Sequence, residues 1–321
     1  MSQIFDALQR AEGENSGRDL ASKTDATDML KRVEQRYLSN NGNVGEAAFF
    51  RDENQGTTDK QYPVLQDRRP HLVTVHPIGD SAHEVFQKFK TVSSTFESAN
   101  KLVSVTQHEG AGAEAFRLLT IRLNDFKQSR RMKKILVTSS IPQEGKSLVA
   151  GNLACALARS DRQRTILIEG DLRRPTLSDL FGVRTTIGIA EYLEGRCAVT
   201  EAIYFVESAG VWLLPAGRST TNLQDLMKSE RLLSLIDEVS AWFDWVVIDS
   251  PPVLPLADTS IWMRIADGIL LTARQGKTEK KALKSCVEAL AQEKVIGAVL
   301  NSARIPEHAD YYYGPSDNDQ D

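Results

Sequence analysis

Residues 134–301 predict an α/β domain, doubly wound around a mostly parallel sheet, and three observations carry that prediction. Short apolar runs rich in β-branched residues alternate with stretches of helical periodicity from Lys134 to Asn301. The first run, Ile135-Leu136-Val137-Thr138, passes into a loop that ends Gly145-Lys146-Ser147 and then into a helix marked by Leu148, Leu153 and Leu157. Two later runs, TILIE at 165–169 and WVVI at 245–248, end at acids: Glu169 with Asp171, and Asp249. Carboxylates at the C-terminal ends of parallel strands lie at the ligand edge of such a sheet.

Composition sets the outer limits. The 321 residues are 41% hydrophobic and 26% charged with a net charge of −4, which suits one or two globular domains and does not call for a nucleic-acid partner. No apolar run approaches the roughly 18 residues of a membrane span, and Met1-Ser2-Gln3-Ile4 lacks the blocks of a signal peptide, so a cytoplasmic protein is expected. Cys155, Cys197 and Cys286 lie far apart, without disulfide or zinc-ligand spacing, and the five histidines form no HExxH pair.

Along the chain, residues 2–12 place Ile4, Leu8 and Ala11 on one face of a short helix, with Phe5 beside them. Residues 13–70 are polar and turn-rich, a linker broken by a helical stretch around Met29, Leu30, Val33 and Tyr37. Residues 71–76 read as a strand. Val85, Phe89, Val92 and Phe96 repeat at helical spacing and predict one helix over 81–99. A further helix over 112–128 turns Phe116, Leu119, Leu123 and Phe126 inward and Glu114, Arg117, Arg122 and Lys127 outward. Within the α/β domain, 177–200 reads as short helices and loops, 211–214 as a strand and 229–241 as a helix. Another helix begins at Asp258, and the strands 268–273 and 295–300 are joined by a helix over 279–292. The final stretch, from Arg304, is polar and acidic with no apolar period, which predicts disorder, yet it holds Tyr311, Tyr312 and Tyr313 in a row.

The loop before the first long helix has the chemistry of a phosphate cradle. Backbone N–H groups at a helix N-terminus meet phosphate oxygens, Lys146 supplies a cation for the β/γ oxygens, and the Ser147 hydroxyl suits Mg²⁺. The usual P-loop opens with glycine four residues before Gly-Lys, where Ser140 stands here. Trp245 to Asp249 has the pattern of a Walker B strand, whose carboxylate holds Mg²⁺ through a water.

Taken together, these motifs resemble the bacterial tyrosine kinase family, P-loop autokinases of capsule and exopolysaccharide synthesis. The resemblance runs from Glu114 to the C-terminus: Ser-x-Pro-x-Glu-Gly-Lys-Ser at 140–147, Asp-Leu-Arg-Arg-Pro at 171–175, Asp-Ser-Pro-Pro at 249–252, and the tyrosine-rich end. It implies ATP and Mg²⁺ as cofactors. Ser140, Pro142, Gln143, Glu144, Gly145, Lys146, Ser147 and Leu148 would bind nucleotide, with Asn301 at the adenine; Ser147, Asp249 and Asp171 would hold the metal. Asp171 or Glu169 would join the metal shell or take the acceptor's proton, with Lys146 as the catalytic cation and Tyr311, Tyr312 and Tyr313 as autophosphorylation sites. It also implies a homo-oligomer, a membrane polysaccharide co-polymerase that recruits the chain to the inner membrane and activates it, and a cognate tyrosine phosphatase. The fold implied is the Min/Par-like subclass of P-loop NTPases. The chain then divides into a helical, partly disordered extension (1–110), an assembly-type helix (111–130), a kinase domain (131–305) and an acidic tyrosine-containing tail (306–321).

The sequence departs from the family pattern where Glu169 replaces an aspartate and where Thr120 replaces the second arginine of Glu-x-x-Arg-x-x-Arg. A second reading is an ATPase or nucleotide sensor of the Min/Par type that regulates a membrane complex without modifying tyrosine. Ile141 stands where those ATPases carry their signature lysine, which counts against it.

Overall fold

The computed structural model describes residues 81–96, 101–107, 110–160, 163–254 and 258–303. The expected helix at 2–12, the linker, the strand at 71–76 and the tyrosine tail lie outside them.

Among the described residues, eight strands form one sheet in the order β1-β4-β5-β3-β6-β2-β7-β8. They are β1 (Lys90–Val92), β2 (Lys134–Ser139), β3 (Thr165–Glu169), β4 (Tyr204–Val206), β5 (Val211–Leu214), β6 (Trp245–Asp249), β7 (Gly268–Arg274) and β8 (Val295–Asn301). All pairings are parallel except β4 with β5, a hairpin that places β1 at one sheet edge. β2 lies between β6 and β7, so the winding reverses around it, and that reversal opens a crevice at its C-terminal end.

Strands covered on both faces read as continuous apolar runs because neither face meets water. Along β2, Ile135 and Val137 pack with Leu153 and Leu157 of α4 (Lys146–Arg159) and Leu123 of α3 (Ala111–Arg130). Leu136, between them, turns to the other face with Trp262 of α10 (Asp258–Ile265) and Leu235 and Val239 of α9 (Glu230–Trp242). The remaining helices are α1 (Ser81–Phe86), α2 (Val103–Thr106), α5 (Leu177–Leu180), α6 (Ile189–Leu193), α7 (Val199–Ala202), α8 (Leu223–Met227) and α11 (Lys280–Ala289).

The single helix expected over 81–99 is corrected. α1 stops at Phe86, and Lys90–Val92 pair in parallel with Tyr204–Val206. The apolar repeat that looked like one stripe divides between the two faces of the sheet. Val85, Phe86 and Phe89 join the core on one side, Val92 and Phe96 on the other, which a single helix face cannot do. Aromatic packing fixes the break: the Phe86 ring lies 5.2 Å from Trp212 and 5.4 Å from Phe243. The helix expected over 279–292 is also shorter, ending at Ala289 before a 3₁₀ turn at Gln292–Lys294.

Candidate active site

The β2–α4 loop crosses the C-terminal sheet edge, and α4 begins at Lys146 with Gly145 as its N-cap. Gln143 (φ +67°) and Gly145 (φ +92°) both adopt left-handed backbone, which bends the loop sharply before the helix. The positive end of α4 therefore faces the crevice, where an anion is favoured.

Sheet register brings the acids to the same place. Glu169 pairs with Asp249 across β3 and β6, and Val137, near the end of β2, is the neighbour of Asp249 on its other side. Asp171 lies two residues beyond β3, after Gly170, whose N–H donates to Asp249 O at 2.7 Å and whose O accepts from Trp262 Nε1 at 3.1 Å. A Cβ at Gly170 would lie 2.8 Å from both Asp249 O and the Trp262 ring, so this close approach requires glycine.

Lys146 connects the set. Its Nζ lies 3.0 Å from Asp171 Oδ2, 3.6 Å from Asp249 Oδ1 and 3.3 Å from Ser147 Oγ. Burial works against the ammonium, but Asp249 and Asp171 outweigh it and hold its pKa above the ordinary lysine value. Asp249 is 1% exposed, and neither of its oxygens has a hydrogen-bond partner among the described residues. Burial pushes its carboxyl up to about 6, with Lys146 pulling the other way. An orphaned, acceptor-only carboxylate beside a serine hydroxyl at a helix N-terminus is the donor set that Mg²⁺ with a polyphosphate requires. The residues present thus fit that group, with Ser147, Asp249 and Asp171 as oxygen donors.

The two candidates for the acceptor's base differ. Asp171 faces Lys146 through one oxygen and accepts from Arg174 N (3.1 Å) through the other. Glu169 is fully buried, and its oxygens are taken by Thr176 N (2.6 Å), Leu177 N (2.5 Å), Ala216 N (2.9 Å) and Ser178 Oγ (3.4 Å). That carboxylate ties the α5 entry to the loop after β5, which is structural work.

The other sequence candidates are also together at this edge. Ser140 and Glu144 are buried, while Pro142 and Gln143 are exposed on the outside of the bend and Leu148 is half-buried in the first turn of α4. Glu144 accepts from Ile141 N at 3.0 Å and from Thr278 Oγ1, so its charge faces its own loop rather than the crevice. Asn301, at the end of β8, donates to Glu144 O at 3.0 Å. Sequence reasoning missed Arg274, at the end of β7, and Lys277 and Thr278, in the loop after it, which reach Gln143 and Glu144. No local signal announces them, because they act across more than 130 residues. It also missed the 2.7 Å ion pair between Arg173 and Asp258.

Fold and crevice together define a P-loop nucleotide-binding protein. No family model matches the chain. Among curated proteins it is 32% identical over 220 residues to tyrosine-protein kinase YwqD of Bacillus subtilis, covering 68% of this chain and 92% of that one. It is 30% identical to the succinoglycan biosynthesis transport protein ExoP of Rhizobium meliloti, of whose length it spans 26%. Among solved structures, the kinase domain of Escherichia coli tyrosine kinase ETK superposes with a TM-score of 0.59 at 27% identity, over 64% of this chain and 82% of that one. The chain belongs to the bacterial tyrosine-protein kinase family. That membership decides between the two sequence readings in favour of the kinase.

Proposed function

We propose that the chain is an ATP-dependent protein-tyrosine autokinase that phosphorylates Tyr311, Tyr312 and Tyr313 and regulates exopolysaccharide polymerisation and export. The observation that carries this is the Lys146 ammonium held between Asp171 and Asp249, with Asp249 otherwise unpartnered at 1% exposure.

Phosphoryl transfer asks a protein mostly for positioning and charge neutralisation. Lys146 leaves its acids for the β/γ-phosphate oxygens, and the N–H groups at the start of α4 cradle the same phosphates. Mg²⁺, when bound, would be held by Ser147, Asp249 and Asp171 and would supply further positive charge there. The tyrosine Oη attacks the γ-phosphorus, the new O–P bond forms as the bond to the bridging oxygen breaks, and ADP leaves. Asp171 takes the hydroxyl proton, since Glu169 has its lone pairs committed elsewhere.

Topology supports the acceptor assignment. β8 runs parallel to β7, and β7 to β2, so the chain leaves Asn301 at the edge that carries the P-loop. Tyr311 is ten residues further on, a reach of up to about 33 Å when extended. Glu114 and Arg117, an ion pair on the outer face of α3, remain on the surface for contact with a second copy, whereas Thr120 is buried and bonded to Arg117 O. Among the described residues no helix is long and apolar enough to cross a membrane. Recruitment to the cytoplasmic side of the inner membrane is assigned to a polysaccharide co-polymerase partner, and removal of the phosphate to a cognate phosphatase.

Incubation with ATP and Mg²⁺ followed by phosphotyrosine detection tests the reading. Wild type should label, and Lys146→Met should lose about a hundredfold, as removal of a preorganised charge-stabilising donor does. Equal labelling of the two would refute the assignment. ATP binding without labelling in either would return the nucleotide-sensor reading, and phosphate mapped to Tyr192 or Tyr204 alone would refute the tail as acceptor.

A further inference from the structure

The last strand ends beside a basic surface. Arg274 closes β7, Lys277 stands in the loop after it, and Lys280, Lys281 and Lys284 open α11, with Glu279 the one acid between 274 and 284. None of these five cations takes part in an ion pair among the described residues. Arg274, Lys277, Lys281 and Lys284 are exposed, while the Lys280 Nζ is enclosed with no hydrogen-bond partner among the described residues. Packing sets their direction: Leu283, Cys286 and Val287 of α11 join the core, which turns Lys281 and Lys284, one helical turn apart, to solvent.

The same surface adjoins the point where the chain leaves the sheet. Arg274 is the register partner of Asn301, and Gln275 N donates to Asn301 O at 3.0 Å. Residues 306–321 carry Glu307, Asp310, Asp317, Asp319 and Asp321 and no lysine or arginine. The ten residues from Asn301 to Tyr311 reach up to about 33 Å when extended, whereas α11 rises only about 6 Å from Lys280 to Lys284. The basic strip therefore lies within reach of the tyrosines.

We propose that this strip, from the end of β7 to the first turns of α11, is the docking surface for the chain's own phosphorylated tail, residues 306–321. The proposal rests on the kinase reading for the phosphates themselves. Three phosphotyrosines add roughly −5 and so about double the charge that the five acids give the tail. Exposed charge pairs are weak singly, but the covalent tether keeps the tail at a local concentration on the order of millimolar, at which several weak contacts suffice. A tail held on α11 has left the crevice, so the strip competes with the active site for the phosphorylated product.

The test is ³¹P NMR on the full chain carrying phosphotyrosine at 311, 312 and 313, made by ligating a synthetic tail so that the phosphates do not depend on the chain's own activity. Cations favour the dianion, so the second phosphate pKa, ordinarily about 6, should fall to about 5.5, a threefold change. It should return to the value of the free phosphorylated 304–321 peptide in the double variant Lys281→Gln, Lys284→Gln. Wild type should do the same at about 1 M salt, where the screening length is about 3 Å. Wild type that titrates like the free peptide would overturn the proposal, whether or not the chain autophosphorylates. A lowered pKa that survives the double variant would overturn the strip as its cause, and one that is lost on dilution would give the surface to a second copy's tail. Peptide-like titration together with binding to phosphatidylserine vesicles by wild type but not by the double variant would give it to a membrane surface. A lowered pKa in the ligated chain, without any labelling from ATP, would uphold the docking surface and fail the kinase reading.

Discussion

Glu169 and Asp249 are neighbours in sheet register, both carboxylates and both buried, yet their surroundings give them opposite work. Glu169 collects three backbone N–H groups and a hydroxyl, while Asp249 collects none among the described residues. A buried acceptor saturated by N–H donors cannot exchange an oxygen for an NH₂ group without facing donor to donor. Glu169→Gln should therefore cost about 1–3 kcal/mol, read as a lowered urea midpoint. Folded Glu169→Gln should still autophosphorylate, because the proton goes to Asp171. A variant of undiminished stability that had lost labelling would reverse the roles of these two acids.

At the scale of elements, α1 and β1 belong to the core although they lie upstream of the α/β alternation. Phe86, Phe89, Trp212 and Phe243 form one aromatic cluster, and Phe89 is 6% exposed. Phe89→Ala should destabilise by about 3–5 kcal/mol, the usual cost of emptying an aromatic core site, as seen by chemical denaturation. A cost below about 1 kcal/mol would show that β1 is not held there in solution. A second element is organised by one carboxylate. Glu194 loses hydration, but Thr220 N, the hydroxyls of Ser219 and Thr221 and the Arg196 guanidinium more than compensate and hold its carboxyl down at about 2. Because the folded pKa lies below the unfolded one, this contribution is full above the ordinary carboxylate range and is lost as pH falls from about 4.5 towards 2. Glu194→Gln should flatten the acid limb of a stability-against-pH curve in that window; an unchanged limb would remove Glu194 as its source.

For the whole molecule, charge links the tail to the site. Phosphorylation adds roughly −5 across three tyrosines to a tail already carrying Asp310, Asp317, Asp319 and Asp321. The repulsion it meets is narrower than a count of nearby acids implies, because Glu144 and Glu169 are committed to donors from neighbouring loops and only Asp171 and Asp249 face Lys146. If copies associate by placing one tail in the next crevice, phosphorylation should loosen that association by linkage. Light scattering at matched concentration and salt, before and after phosphatase treatment, measures it; equal masses would refute the coupling.

The sequence by itself determined six strands of the sheet (β2, β3, β5, β6, β7 and β8), the P-loop and the acidic strand ends. A strand buried on both faces must be apolar throughout, and a phosphate loop must combine a tight bend, a cation and a hydroxyl within a few residues. These are local demands, written where they act. Tertiary structure alone decided which of two acids is free, since Glu169 is committed by N–H groups at 176, 177 and 216 that no spacing foretells. It also decided that one apparent stripe over 85–96 serves two faces, because strand pairing with Tyr204–Val206 outweighed the helical period. Finally, it placed Asn301 and Thr278 on Glu144, contacts made only when β7 and β8 close beside β2.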